Sequence, residues 1–310
     1  MRPKLLSKVF WIATLFSKAS SQASPKKSKL IVNLRKVVVI QHIVPFRLLK
    51  KRGKDSFLLE NKYLFAQKII RQAGQLIKSE MAKHLEIEEK TRFDDLVTNL
   101  DKSTQDFLIA QIQATCPDDK VMAEENGVRH PIDQGKVWVL DPIDGTVNFI
   151  VQGDNFAVMI AYFEDGIGQF GLIYDVMNDV LYHGGGQFDV YANDKRLPIY
   201  KDRPFNRSLI GANFAMSSDN VHGIRDLAAQ TLGVRVYGGA GISMSHVLSG
   251  HLLGYFSYIQ PWDYAAALVM GEKLGYTLLT LEGAKPDFKT RQMVMFVPRI
   301  KLAEIQKFVQ

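Results

Sequence analysis

The stretch that decides the fold is VLDPIDGTVNF, residues 139–149. An apolar run from Val137 to Leu140 reads as a buried strand. It breaks into two aspartates three residues apart, Asp141 and Asp144, with Pro142 between them and Gly145 and Thr146 directly after. Asp-Pro-x-Asp-Gly is in itself a good turn sequence, because proline fixes φ and glycine tolerates φ > 0. A second carboxylate at the mouth of one strand asks for more, since two such groups repel unless something positive is held between them.

Two further acidic blocks share the question. AEENG places Glu124 and Glu125 at a strand end, and PWDYAAAL places Asp263 at a helix start. Taken singly, each has a plain reading. Paired glutamates suit a solvated loop, and Asp263 suits an N-cap with Trp262 stapled before it. Taken together they suit a hard divalent cation such as Mg²⁺, which wants carboxylate and carbonyl oxygens and keeps waters for a substrate. The bend at Pro142 aims Asp141 and Asp144 at one point and leaves the Ile143 carbonyl as a further oxygen. Gly145 and Thr146 then open a helical turn whose free N–H groups and dipole form a phosphate seat. Paired metals about 3.5–4 Å apart are a standard device for phosphate-ester hydrolysis.

Composition bounds the setting. The 310 residues are 46% hydrophobic, enough for a substantial core, and no apolar stretch reaches the roughly 18 residues that span a bilayer. The one cysteine, Cys116, excludes an intramolecular disulfide framework and fits a reducing, cytoplasmic setting. The net charge of +7 is not evenly spread. Residues 1–54 hold fourteen Lys/Arg and no acid, which leaves 25 basic against 32 acidic residues, net −7, in 55–310. Residues 1–57 therefore form a basic leader ahead of a mildly acidic body. Its start, MRPKLLSKVFWIATLF, has features of a signal peptide and of a transit peptide, but Lys18 and a poor cleavage site weaken the first. The leader is expected to be a disordered tail or a start-site artefact, with VVVIQHIVPFRLL (37–49) the one part apolar enough to pack.

Along the body, apolar residues from Tyr63 to about Lys83 (Leu64, Phe65, Ile69, Ile70, Ala73, Leu76, Ile77, Met81) predict an amphipathic helix. DDLVTNLD (94–101) is a short extended piece, with Asp101 as a cap for a helix carrying Phe107, Leu108 and Ile112. Residues 120–123 and 136–140 read as strands. From Asn155 the texture becomes short β-rich segments parted by EDG, MND and GGG, an antiparallel meander. LLGYFSYI (252–259) reads as a strand and Asp263–Leu274 as a helix. Helices and strands alternate in a layered α/β body of residues 58–310, with two sub-lobes meeting near residue 200.

AEEN, WVLDPIDGTVNF and PWDYAAAL, in that order, resemble the inositol monophosphatase family of Mg²⁺-dependent, lithium-sensitive sugar phosphatases. DLVTNLD resembles the family's upstream metal segment, and the run from Phe156 to Gly186 its central meander. The resemblance implies the αβαβα sandwich of that superfamily, commonly a homodimer. It implies Mg²⁺, two or three ions, with Glu124, Asp141 and the Ile143 carbonyl as ligands of the first and Asp141, Asp144 and Asp263 of the second. Asp101 matches the carboxylate near a weaker third ion and the attacking water. Gly145 and Thr146 match the phosphate seat, with the Thr146 hydroxyl orienting that water; Asp144 and Asp263 also border the substrate. Glu124, Thr146 and Asp101 are thus the implied catalytic set. The implied reaction is direct attack of activated water on a small phosphorylated polyol such as inositol 1-phosphate. No specific nucleic-acid partner and no membrane contact by the leader are expected.

One position departs from the family. Where inositol-specific members typically carry a glutamate that contacts sugar hydroxyls, this chain has Ser257. That opens fructose 1,6-bisphosphate or a nucleotide bisphosphate as alternative substrates, although Val147 and Asn148 replace the Lys-Glu usual in nucleotide bisphosphatases. A non-catalytic regulatory protein keeping the fold is the alternative of another class. His183 before three glycines reads as a hairpin, and His246 and His251 lack a zinc spacing.

Overall fold

The computed structural model describes residues 54–309 apart from 84, 91, 92 and 94, with side chains from residue 58. The expectations for the leader, including its segment 37–49, lie outside the described residues. Helix α1 (Lys54–Glu80) is followed by a two-stranded ribbon, β1 (Ile87–Glu89) with β2 (Leu96–Thr98), and by α2 (Asn99–Thr115). Seven strands then form one sheet in simple chain order: β3 (Lys120–Ala123), β4 (Lys136–Asp144), β5 (Ala157–Glu164), β6 (Ile167–Asp175), β7 (Val180–Gly185), β8 (Phe188–Ala192) and β9 (Lys195–Arg196). Only the β3–β4 pair is parallel; the meander expected from Asn155 is β5 to β8, and antiparallel pairing extends it to β4 on one side and β9 on the other. A short helix, α3 (Thr146–Gln152), leaves the end of β4.

Between Arg196 and Ile210 the chain passes to a second sheet, ordered β11-β10-β12-β14-β13. Its members are β10 (Ile210–Ala212), β11 (Val234–Arg235), β12 (Tyr255–Ile259), β13 (Tyr276–Thr280) and β14 (Gln292–Pro298). The remaining helices are α4 (Phe214–Ser218), α5 (Ile224–Ala228), α6 (Ala240–Leu248), α7 (Pro261–Leu274) and α8 (Leu302–Ile305).

Side-chain alternation sorts these elements into five layers. In β4, Val137 and Val139 face α6 and α7, while Trp138 and Leu140 face α1 and α2. In β14, Val294 and Phe296 face the same α6–α7 layer, while Met295 and Val297 pack on α4, α5 and α8. A strand covered on both faces reads as a continuous apolar run, which is why 137–140 lacks polar alternation. The result is an αβαβα sandwich. Trp138 pins β4 in register. Its indole N–H donates to Asp119 Oδ2 at 2.8 Å, and its ring lies 4.9 Å from Tyr162. Such aromatic pairs add about 0.5–1.5 kcal/mol beyond burial. That anchors the strand whose far end carries the two aspartates.

Several boundaries differ from the sequence reading. Helix α1 begins at least as early as Lys54, and Leu64 stands 50% exposed rather than on the packed face. Strand β4 runs through Asp144 instead of stopping at Leu140. Thr98, not Asp101, caps α2, and Gln260, not Asp263, caps α7; both aspartates sit one turn in, at the third helical position. His183 lies in β7, bonded to Tyr63 Oη at 2.5 Å and to the Asn193 carbonyl at 3.1 Å, as part of a β7–β8 hairpin.

Candidate active site

The geometry begins with a bulge. Asp141 pairs with Met159 and Asp144 with Ala157, so three steps on β4 match two on β5. Residues i and i+3 of a regular strand face opposite ways. One extra residue restores the phase, so Asp141 and Asp144 both face the α6–α7 layer while Ile143 packs with α1 and α2. Pro142 has no N–H to lose from the ladder at that point. Gly145 then takes φ +84°, the left-handed conformation that favours glycine, and releases the chain into α3.

Helix ends bring in the other carboxylates. Asp101 Oδ2 accepts from the Thr98 amide at 2.8 Å and the Thr98 hydroxyl at 2.6 Å, the reciprocal half of a capping box. Its Oδ1 lies 3.1 Å from Thr146 Oγ1, which is also 3.0 Å from the Ile143 carbonyl. Asp263 Oδ2 accepts from the Gln260 amide at 2.8 Å. Each carboxylate thus uses one oxygen to hold its own helix end. Asp144 takes a third arrangement, with Oδ1 on the Ala240 amide at 2.9 Å and Oδ2 on the Gly241 amide at 2.8 Å, at the N-terminus of α6. Helix dipole and charge-assisted bonds both favour an anion there.

Glu124, Asp141, Ile143, Asp144, Gly145, Thr146 and Asp263 line one cavity of 540 Å³. Asp101 reaches it through Thr146. The structure therefore brings seven of the eight predicted site residues to one cavity and places the eighth, Asp101, behind Thr146. Among the described residues no three acidic or histidine side chains are gathered into a tight ligand cage. Glu124 is instead paired with Lys90, Oε1 to Nζ 2.8 Å, and Glu125 shares that amine at 2.5 Å. Burial disfavours the Lys90 charge, but Glu124 and Glu125 outweigh it and hold its pKa above the ordinary lysine value.

The electrostatics are those of an anionic cluster in want of a cation. Burial raises the carboxyl pKa of Asp101 to about 6, with Glu125 adding to it, and that of Asp144 to about 6 against its two amide bonds. Glu124 rises to about 7, from burial and then Glu125 and Asp101, with Lys90 opposing. Asp141 and Asp263 are pushed well above the carboxylate range, first by burial and then by their acidic neighbours. Asp141 Oδ1 is moreover buried without a hydrogen-bond partner. Buried polar atoms rarely go unpaired, and an orphaned oxygen among carboxylates and a carbonyl fits an oxygen-seeking divalent ion.

Sequence reasoning missed the supporting residues. Gln105 clamps the Glu124–Glu125 turn, accepting from the Glu125 amide at 2.7 Å and donating to its carbonyl at 3.0 Å. Asn148 Nδ2 ties α3 to the Asn155 and Tyr237 carbonyls at 3.0 and 2.7 Å. Lys90, Arg291 and the amides of Ala240 and Gly241 were also not foreseen. A usable signal existed for the last pair: the small-residue run Gly238–Gly241 before an apolar helix is a candidate anion seat.

Comparison with known proteins agrees with this geometry. The chain is 37% identical over 236 residues to the inositol-1-monophosphatase of Bacillus subtilis, covering 74% of this chain and 89% of that protein. Among solved structures, SaIMPase-II, the inositol monophosphatase-II of Staphylococcus aureus, superimposes closely. Its complex with inositol monophosphate gives a TM-score of 0.72 at 32% identity, covering 80% of this chain and 93% of that one. The 2′AMP-bound form gives 0.73 at 33%, covering 80% and 94%. These relatives set the class, a phosphoric monoester hydrolase on a layered α/β sandwich. More narrowly, residues 58–307 match the model of the inositol monophosphatase family, and the chain belongs to that family.

Proposed function

We propose that the protein is a Mg²⁺-dependent phosphomonoesterase for inositol 1-phosphate or a similar small phosphorylated polyol. The observation that carries the reading is the bulge in β4, which turns Asp141 and Asp144 to one face beside Glu124, Asp263 and the Ile143 carbonyl. These five groups would hold Mg²⁺, which when bound supplies charge neutralisation at phosphorus and a lowered pKa for the attacking water. The chain's own residues do the rest. Gly145 and Thr146 seat the phosphate at the start of α3. Thr146 Oγ1, between Asp101 Oδ1 and the Ile143 carbonyl, orients the water, and Asp101 accepts its proton. Water adds to phosphorus, the phosphorus–oxygen bond to the polyol breaks, and the polyol leaves as an alcohol.

A substrate panel tests the reading. Phosphate release from inositol 1-phosphate is expected to exceed that from fructose 1,6-bisphosphate and from a nucleotide bisphosphate; faster turnover of either bisphosphate overturns the substrate assignment. Millimolar lithium is expected to inhibit, because Asp144 and Asp263 beside the phosphate seat offer a small cation an oxygen site. Unchanged rates when lithium chloride replaces potassium chloride at equal ionic strength would remove that expectation.

The raised pKa values carry a stability signature. An acid whose folded pKa exceeds its unfolded value, about 3.9 for Asp, favours folding below the unfolded pKa. That contribution is lost as pH rises through the folded pKa. For Asp101 and Asp144 the loss runs through about pH 6, and for Glu124 through about pH 7. The metal-free protein is therefore expected to melt lower at pH 8 than at pH 5, and Mg²⁺ to restore several degrees at pH 8 but little at pH 5. A melting temperature that is flat with pH and indifferent to Mg²⁺ would contradict this.

A further inference from the structure

Helix α6 stops at a glycine turn. The Gly250 amide donates to the Val247 carbonyl at 2.9 Å and the His251 amide to the His246 carbonyl at 2.9 Å. Gly250 takes φ +74°, the left-handed conformation that lets the chain double back. In a helix stop with these two bonds, the residue after the glycine packs on the third residue from the helix end, and the contact is commonly apolar. Here both residues are histidine, His246 inside the helix and His251 beyond it. Five residues apart on a continuous helix, they would point about 140° away from each other. The turn brings them together instead.

The His246 and His251 Nδ1 atoms lie 3.1 Å apart. Two imidazole nitrogens bound to one ion at about 2.0–2.1 Å, with an angle between square and tetrahedral, stand about 2.9–3.4 Å apart. The observed separation is that of a chelate. The Tyr237 ring stacks on His246 at 4.5 Å and 21°, which holds that imidazole in place. His251 is exposed and inclined to it by 49°, so a turn of the outer ring aims both lone pairs at one point. Two features favour a cation there. The last carbonyls of α6 put negative charge at this end of the helix, and the Asp175 carboxylate acts on His246 in the same sense. Without an ion, one imidazole donates to the other and the pair remains intact.

We propose that this turn is a site for a transition-metal dication such as Zn²⁺, Ni²⁺ or Cu²⁺, chelated by Nδ1 of His246 and Nδ1 of His251. Imidazole suits those ions, whereas Mg²⁺ prefers oxygen. Among the described residues no group of three acidic, histidine or cysteine side chains forms a cage, so water completes the coordination. The site is separate from the carboxylate cluster. Ala240, whose amide holds Asp144, lies roughly 9 Å back along the helix. The ion fastens the last turn of α6 to the chain that follows it, and so stabilises the helix that presents two amides to Asp144. Nothing in this site depends on the phosphatase reading.

The experiment titrates NiCl₂ into the full chain, free of any histidine tag, by calorimetry in millimolar MgCl₂. His251→Ala is expected to weaken Ni²⁺ binding at least about tenfold, the low end of what losing a mere support of a metal ligand costs. His130→Ala, which alters an imidazole facing the Pro131 carbonyl, is expected to leave it unchanged. Cu²⁺ is expected to bind more tightly than Ni²⁺. Its electron paramagnetic resonance spectrum is expected to show two coordinated nitrogens in the wild type and one in His251→Ala. Free Ni²⁺ at a hundred times Kd is expected to raise the wild-type melting temperature by about 5 °C, and that of His251→Ala far less. If His251→Ala melts lower without metal, His251→Gln, which keeps a hydrogen-bonding group beside His246, takes its place with the same expected loss. Equal Ni²⁺ affinity in the wild type and both His251 variants overturns the site, as does no Ni²⁺ binding by the wild type. Displacement of the bound Ni²⁺ by MgCl₂ also overturns it, and assigns the ion to the carboxylates.

Discussion

Asp141→Asn is expected to lose at least about a thousandfold in kcat, roughly 4 kcal/mol of barrier, while keeping the fold. Asparagine has nearly the same shape, so the β4 bulge and its pairing to Met159 have no steric reason to change. What disappears is a carboxyl whose ionisation is opposed first by burial and then by Glu124, Asp144, Asp263 and Asp101. Without metal, an uncharged amide removes that cost of ionisation, and the variant is expected to melt at or above the wild-type temperature. With Mg²⁺, one oxygen ligand is weakened and the cation's effect on rate falls with it. Steady-state kinetics and thermal melts with and without Mg²⁺ separate the two effects. Native-like activity would remove Asp141 from the metal site, and a collapsed melt without metal would show that its role is structural.

Gly171→Ala is expected to destabilise the protein by about 3 kcal/mol or more, the upper range for overpacking a close contact. A Cβ on Gly171 would collide with the Ala266 carbonyl oxygen and stand 2.9 Å from Ala266 Cα. Those are main-chain atoms of α7, which lies directly on β6, so no side chain can swing aside. Relief requires moving α7, and α7 carries Asp263 in its first turn. A melting temperature lowered by roughly 6–12 °C, with a raised Mg²⁺ requirement for whatever activity remains, is the expected result. A melt within about 2 °C of wild type would mean that α7 is less tightly seated on the sheet than its contacts indicate.

The residues proposed to hold metal were legible because each sits in a short block with its own chemistry. Two aspartates around Pro142, two glutamates after an apolar strand and an aspartate after Pro-Trp are visible without any knowledge of the fold. Their supports were not visible, because they act across distance along the chain. Gln105 reaches Glu125 over 20 residues, and the Ala240 amide reaches Asp144 over 96. The bulge was equally hidden: whether Asp141 and Asp144 share a face depends on register with β5, which no local pattern encodes. The misplacement of Asp101 and Asp263 as caps has a simple origin. An acidic residue near a helix start suits both the cap and the third position, and only the partner decides. Thr98 and Gln260, not the aspartates, have the extended backbone of a cap. The layered sandwich itself was legible in coarse form, since the meander after Asn155 and the helical periods on either side of it are strong local signals. Its second sheet was less so, because β10 and β11 have only three and two residues.

The central claim is that the β4 bulge assembles a cation site that drives phosphate-ester hydrolysis. It is tested most directly by initial rates of phosphate release from inositol 1-phosphate by the full-length protein, in millimolar MgCl₂ and again in excess EDTA. The expected result is turnover with Mg²⁺ that falls to background with EDTA and returns when Mg²⁺ is restored. Turnover equal in both conditions, or absent in both, would contradict it.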